Sequence, residues 1–316
     1  MPVPLITSIA PKLHRVLPSG KEDGVGYQAT CIASWIKAGF EVHSLNIAAE
    51  LAEIADHYPG VIFHEAGRCD PSQGPPFVYL ADMLRILSET GAAAGGIINS
   101  DVFTSKGAEL SDQMAERAAR SMIYAHRYDI KTVGGELTHS YFAHGYDFFM
   151  FPLAKLTALP DDGMVFGLPY WDYWLPLAIH GEGAPLAPIE DQDFLFHLDH
   201  VQRYPVGLDF WARFAPFFYG LLVLIKRLLG RDMGDEFERL FKSAAMITED
   251  GRGSELGMHQ CIFLSRFVQF YIGTRLVRDQ SAGFIEQFAS EDSILTMPMT
   301  EDDVEILNQF SKLAAR

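Results

Sequence analysis

Four short stretches carry the residue types that chemistry needs. The run Gly95 to Val102 is a short apolar strand closing on Asn99-Ser100-Asp101. A carboxylate where a strand stops can hold a divalent cation, and the cation can hold a diphosphate. The same three residues are also ordinary turn chemistry. A second acid, Asp147, opens the aromatic run Gly145 to Pro152. Burying it is costly unless it faces a ligand or is met by backbone amides. A third, Asp172, stands among Tyr170, Trp171, Tyr173 and Trp174. Aromatic faces beside a carboxylate suit a sugar, whose C–H face stacks while its hydroxyls bond the acid. The competing reading is an aromatic core helix with Asp172 in its first turn, favoured by the helix dipole. The fourth stretch, Phe194 to His200, ends with His197 and His200 bracketing Asp199. Imidazole is a common metal ligand, but a histidine pair three residues apart is weak testimony alone.

The elements that must position these groups alternate between strand and helix periods. Strands are expected at Pro4–Ala10, Phe40–Leu45, Val61–His64 and the segment ending at Asp101. Helices are expected at Tyr27–Ala38, Ile47–His57 and Phe77–Glu89, with apolar positions at helical spacing. Another runs from Ser111 to Met122, capped by Ser111 or Asp112. Repeated strand–helix units imply an α/β fold of Rossmann type, a mostly parallel sheet with helices on both faces. The middle third is aromatic and irregular. From about Gly207 the pattern is mostly helical: Phe210–Leu229, Asp235–Met246, Gly257–Arg278 and a last helix from Glu301. The expected division is residues 1–206 as the sheet domain and 207–316 as a helical extension packed on it.

Bulk composition removes several classes. The 316 residues are 48% hydrophobic and 21% charged, as in a globular chain with a large core. A net charge of −16 argues against nucleic acid, whose phosphates need clustered Lys and Arg. Cys31, Cys69 and Cys261 are dispersed and odd in number, with neither a disulfide framework nor a zinc spacing. With no apparent signal peptide, a cytoplasmic setting is expected. The longest apolar run, Phe214–Ile225, is too short to span a bilayer. The helix around it, with Lys226, Arg227 and Arg231 at one end, suits either a membrane surface or the core of a bundle. Gly24-Val25-Gly26 opens a helix but lacks the third glycine of a dinucleotide fingerprint, and no phosphate-cradling G-x-x-x-x-G-K-[ST] occurs.

The order of these motifs resembles the nucleotide-sugar glycosyltransferases with a GT-A-type fold. The resemblance runs through Thr7-Ser8, Gln28-Ala29, Ser34-Trp35, Glu41 to Asn46, the Asp82 helix, Asn99-Ser100-Asp101, Gly145 to Phe149, Gly167 to Leu175 and His197 to His200. It spans residues 4–204 and leaves the C-terminal helices uncovered. It implies a transfer from a nucleoside-diphosphate-sugar to a glycan or lipid-linked hydroxyl, assisted by Mn²⁺ or Mg²⁺. Asp101 is then the metal ligand, completed by His200 or, second, His197. Asn99 occupies the first position of the family's Asp-x-Asp, an amide where a carboxylate is usual. Thr7, Ser8, Asn46, Asp82, Asn99 and Ser100 fall to the nucleotide sugar. The base that takes the acceptor's proton is Asp172, with Asp147 as the rival. Two alternatives stand beside this: a non-catalytic nucleotide- or glycan-binding relative, motivated by Asn99, and a sugar-phosphate nucleotidyltransferase. The latter needs a Gly-rich basic loop after the first strand, where this chain reads Ala10-Pro11-Lys12-Leu13-His14-Arg15.

Overall fold

The computed structural model describes residues 2–15, 20–72, 76–130, 140–141, 145–189, 191 and 194–198, and beyond them only 217, 220, 221, 223, 224 and 227. The chain divides into two units, Met1–Gly167 with Glu182–Arg203, and Leu168–Gly181 with Tyr204–Arg316. In the first unit the strands are β1 (Val3–Thr7), β2 (Phe40–Asn46), β3 (Val61–Glu65), β4 (Ala94–Ile98), β5 (Val102–Thr104), β6 (Met122–Ala125), β7 (Tyr128–Ile130), β8 (Ser140–Tyr141), β9 (Phe148–Pro152), β10 (Leu186–Pro188) and β11 (Leu195–Leu198). Its helices are α1 (Gly24–Lys37), α2 (Ala48–Ile54), α3 (Leu80–Glu89) and α4 (Leu110–Ala118). In the second unit α5 (Trp171–Gly181) is described.

Seven strands form one sheet in the order β10-β6-β9-β4-β1-β2-β3, and β9 alone runs against its neighbours. This is the mostly parallel α/β architecture the strand–helix alternation implies. β1 and β4 are buried at every position, as strands covered on both faces must be. β3 is an edge, and its Ile62 is exposed. The chain builds β1, β2 and β3 outward in one direction, then returns to place β4 on the other side of β1. In α/β sheets such a reversal marks the crevice that takes ligands, beyond the carboxyl ends of the strands beside it, here β1 and β4.

A second sheet, β5-β11-β7-β8, holds the expected histidine strand. β11 lies antiparallel to β5 and parallel to β7. Because β5 begins directly after Asp101, the small sheet grows out of the strand end that the sequence singles out.

Helix boundaries differ from the sequence periods where local polar groups intervene. The expected cap at Ser111 or Asp112 is replaced by a start at Leu110 after Glu109, with no side-chain cap. Ser111 is instead buried, its amide donating to Ala38 O at 3.1 Å. That helix ends at Ala118, and Met122 belongs to β6. The 77–89 helix begins only at Leu80, since Phe77 and Tyr79 bridge to Asp70 and Val165. The 47–57 helix tightens to a 3-10 turn over Ala55–His57.

Of the expected helix 210–229, the six described residues are all helical. Phe217, Leu221 and Leu224 are buried and Arg227 is exposed, the pattern of a helix with a packed face. The expected helices 235–246 and 257–278 and the one from 301, like the expected 206/207 domain boundary, lie outside the described residues. Among the described residues no helix is long and apolar enough to cross a membrane.

Gly96 sits where β4 is squeezed between β1 and β9. A Cβ there would lie 2.3 Å from Phe149 O and 2.7 Å from Met150 Cγ. Gly96→Ala is therefore expected to cost about 1–3 kcal/mol through overpacking. Urea denaturation checks it, and a change within about 0.5 kcal/mol would show that the sheet yields there.

Candidate functional site

The carboxyl ends of β1 and β4 bring together Thr7, Asn99, Ser100, Asp101 and, from the start of antiparallel β9, Asp147. Asn99 N donates to Asp147 O at 2.9 Å, continuing the β4–β9 ladder past Ile98. The Asn99 side chain also donates its Nδ2 to Asp147 Oδ1. This gives a physical reason for an amide at the first motif position. A carboxylate there would face another carboxylate across a hydrogen-bond distance in a buried setting.

Asp147 is 2% exposed and is held as half of an ion pair. Arg127 Nη1 donates to Asp147 Oδ1 at 3.0 Å, and Arg127 Nε to Asp129 Oδ1 at 3.0 Å. Burial works against the Arg127 charge, but the carboxylates of Asp147, Asp101 and Asp129 outweigh it and raise its pKa. The chain of charges continues through His197, which is 3% exposed. Its Nδ1 lies 2.8 Å from Asp129 Oδ1 and its Nε2 3.5 Å from Asp101 Oδ2. Burial disfavours the imidazolium, yet hydrogen bonds to Asp101 and Asp129 raise its pKa to about 9. Asp129 is itself desolvated, but His197 and Arg127 bring its pKa below the ordinary value. From Asp147 to Asp101, the groups alternate in sign over five residues.

Two further polar atoms mark this crevice. Thr7 Oγ1 and Asp147 Oδ2 are both buried without a hydrogen-bond partner among the described residues. Buried polar atoms are rarely left so unless a ligand or water meets them.

The loop leaving β1 is fixed from beneath. Ile9 N donates to Ser44 Oγ at 3.0 Å, and Asn46 Nδ2 donates to Ile9 O at 2.9 Å. Ser44 Oγ donates to Asn46 Oδ1, and Asn46 Nδ2 also reaches Glu50 Oε2. With its amide nitrogen turned to Ala10 O, Gln28 donates there at 2.9 Å and accepts from Ala10 N at 3.2 Å. Asn46 thus shapes the rim of the crevice through the backbone of residues 9 and 10. Ser8, half-buried, lies in that same loop.

Other expected site residues sit elsewhere. Asp82, in the first turn of α3, is paired with Arg68 at 2.9 Å, while Arg68 also holds Asp161 at 2.7 Å and covers the Tyr79 ring. Asp172 opens α5 in the second unit, between buried Trp171 and Tyr173. Tyr170, just before it, adopts φ +81, uncommon for a bulky residue and a mark of a held conformation. His200 and Asp199 lie outside the described residues. Among the described residues, no three His, Cys, Asp or Glu side chains form a group able to hold a metal ion.

Arg127, Asp129 and Tyr27 were not among the expected site residues. The signal for the first two was present: His126-Arg127-Tyr128-Asp129 follows the apolar strand Met122–Ala125, a polar strand end like that of β4.

No family model matches the chain. No curated protein matches it in sequence. Among solved structures it is similar to S. aureus TarS 1–349 in complex with UDP-GlcNAc, with 10% identity over 100% of this chain and 91% of that one, TM-score 0.43. It is similar also to the mannosyltransferase PcManGT of Pyrobaculum calidifontis in complex with GDP-Man and Mn²⁺, with 10% identity over 99% and 84% and TM-score 0.41. A third is a Bacillus anthracis protein assigned as a glucose-1-phosphate thymidylyltransferase, with 8% identity over 75% and 99% and TM-score 0.39. Likeness at this level lies in the fold, and it assigns no residue or reaction here.

Two outcomes follow from the charge chain. His197, raised from the ordinary histidine value of 6.5 to about 9, stabilises the fold fully below pH 6.5, and that contribution is lost as pH rises through about 9. In metal-free buffer the urea midpoint should fall across that window, and His197→Gln should flatten the fall; parallel profiles would refute the pairing. Asn99→Asp should destabilise at neutral pH by about 1–3 kcal/mol and recover towards acid pH, where one carboxyl takes a proton. A variant as stable as the wild type at pH 7 would contradict the contact.

Proposed function

We propose that the protein is a glycosyltransferase that moves a sugar from a nucleoside-diphosphate-sugar to a hydroxyl acceptor, with a divalent metal at Asp101. The observation that carries this reading is the pair Asp101 Oδ2 and His197 Nε2, 3.5 Å apart at the strand-order reversal. A carboxylate oxygen and an imidazole nitrogen side by side are a donor set that a divalent cation takes. Asp129 stands behind His197 as the carboxylate that commonly orients a metal-bound imidazole. Two protein ligands suffice for Mn²⁺ or Mg²⁺ when diphosphate oxygens and water complete the shell. His200 is the further candidate ligand from the sequence.

The metal, when bound, would supply Lewis-acid stabilisation of the departing diphosphate, which suits a protein with a net charge of −16. The chain's own residues do the rest. The Ile9–Ala10 backbone, braced by Ser44, Asn46 and Gln28, gives a rigid polar edge for a nucleobase, with Thr7 and Ser8 beside it. In the transfer, the bond from the anomeric carbon to the diphosphate oxygen breaks and its electron pair leaves with that oxygen. The acceptor oxygen forms the new bond and gives its proton to a base. We assign that base to Asp172, in the first turn of α5 and less buried than its neighbours Trp171 and Tyr173. Asp147 is the poorer candidate, because it is buried against Arg127 and Asn99.

Calorimetric titration with UDP and GDP, with and without Mn²⁺, tests the reading. One of them should bind in a metal-dependent manner, and Asp101→Asn should weaken that binding by about 10–100-fold. Binding that ignores both the metal and Asp101 would favour the non-catalytic relative and sink this mechanism. Asp172→Asn should lower turnover by about 10²–10⁴-fold while leaving diphosphate affinity in place; equal loss of both would move Asp172 from base to donor binding.

A further inference from the structure

Helix α1 grips the segment that follows the motif by three side-chain bonds to its backbone. Trp35 Nε1 donates to Val102 O at 3.0 Å, and Thr104 N donates to Ser34 Oγ at 3.1 Å. Tyr27 Oη donates to Asp101 O, and the same oxygen accepts from Leu198 N at 2.9 Å. Tyr27, Ser34 and Trp35 lie on one face of α1 by their spacing. Tyr27 is 2% exposed, wedged edge-on against Phe103 with the Arg15 guanidinium over its ring. A phenol has one proton. Burial keeps that proton in place. The hydroxyl therefore has one donor for the Asp101 carbonyl and a lone pair for the Leu198 amide. Those two backbone groups belong to the two segments that bear Asp101 and His197.

We propose that Tyr27 is a positioning residue that sets the span between Asp101 and His197, and through it the affinity of this site for a divalent cation and its diphosphate. The inference rests on the reading of that pair as the metal site. One oxygen atom fixes both strands: when the Asp101 carbonyl moves, the Leu198 amide must follow, or a hydrogen bond inside the core is lost. The β5–β11 ladder holds the strands in register, but its pairs end at Val102 and His197. Beyond that last pair, the Tyr27 hydroxyl closes the gap.

Tyr27→Phe removes the hydroxyl and leaves the ring packing intact. Backbone hydrogen exchange in the ligand-free protein should speed up at Leu198 and Val102 and stay unchanged in α3. Binding of Mn²⁺ alone, followed by its electron paramagnetic resonance signal, and of UDP or GDP with Mn²⁺ should weaken about 10-fold or more. Affinity for uridine or guanosine, which lack the diphosphate, should be unaltered. In the His197→Gln background, Tyr27→Phe should cost little further metal affinity, because the span it sets has lost one end. Unchanged exchange at Leu198, wild-type Mn²⁺ affinity, or equal loss for nucleoside and diphosphate would each overturn the proposal. If the wild type binds neither diphosphate with Mn²⁺, the glycosyl-transfer reading fails. The exchange and Mn²⁺-alone measurements then still decide whether Tyr27 sets the span.

Discussion

A guanidinium removed from water must be surrounded by carboxylates, and Arg127 imposes that demand on the whole first unit. Its charge is almost wholly buried and never neutralised at accessible pH. It therefore draws Asp147 from the start of β9 and Asp129 from β7, so one side chain joins the seven-stranded sheet to the four-stranded one. Removing one partner of such a pair strands the other in low dielectric, at a cost of about 3–5 kcal/mol. Asn99 and His197 follow from the same demand. Asn99 can lie against Asp147 because it brings a donor, and His197 can lie against Asp129 and Asp101 because it carries a proton.

The site is consequently organised by electrostatics from the inside outward. The buried end, Arg127 with Asp147, holds shape, and the chain of charges closes at the half-exposed Asp101 beside His197. Asp101 belongs to a turn, as Asn-Ser-Asp suggests, and that turn is also where the charge chain meets the crevice. A turn does not preclude chemistry at the same residues. A turn clamped by Tyr27, Trp35 and Ser34 is what a precise ligand position requires.

The parts of this fold governed by short-range pattern were legible in the sequence. β1, α1, β2, β3 and β4 follow from alternation, apolar spacing and the glycines that stop them, such as Gly39 at φ +93. The strand end at Asp101 was legible because polar residues abruptly succeed an apolar run. What was hidden depends on partners far along the chain. Asp147 reads as an isolated acid until Arg127 and Asn99 are seen beside it. Tyr27 reads as one more apolar position of a helix, because its bonds are made with residues 74 and 171 positions away. Ser111, a plausible helix cap by type, is buried by a contact with Ala38 that no local rule contains.

The reversed direction of β9 has a consequence for how such a site can diversify. In a wholly parallel sheet, each strand offers the crevice only its outgoing end, and every residue there is followed by a crossover helix that limits its length. β9 offers its incoming end instead. Asp147 reaches the crevice from the other side of the chain's path, fixed by the ladders of β9 to β4 and β6 and by the Arg127 charge. The anchoring acid thus depends on two neighbouring strands and a buried cation, with no crossover helix of its own to carry it. An architecture of this kind can exchange residues along its crossovers while the buried charges beneath remain as they are.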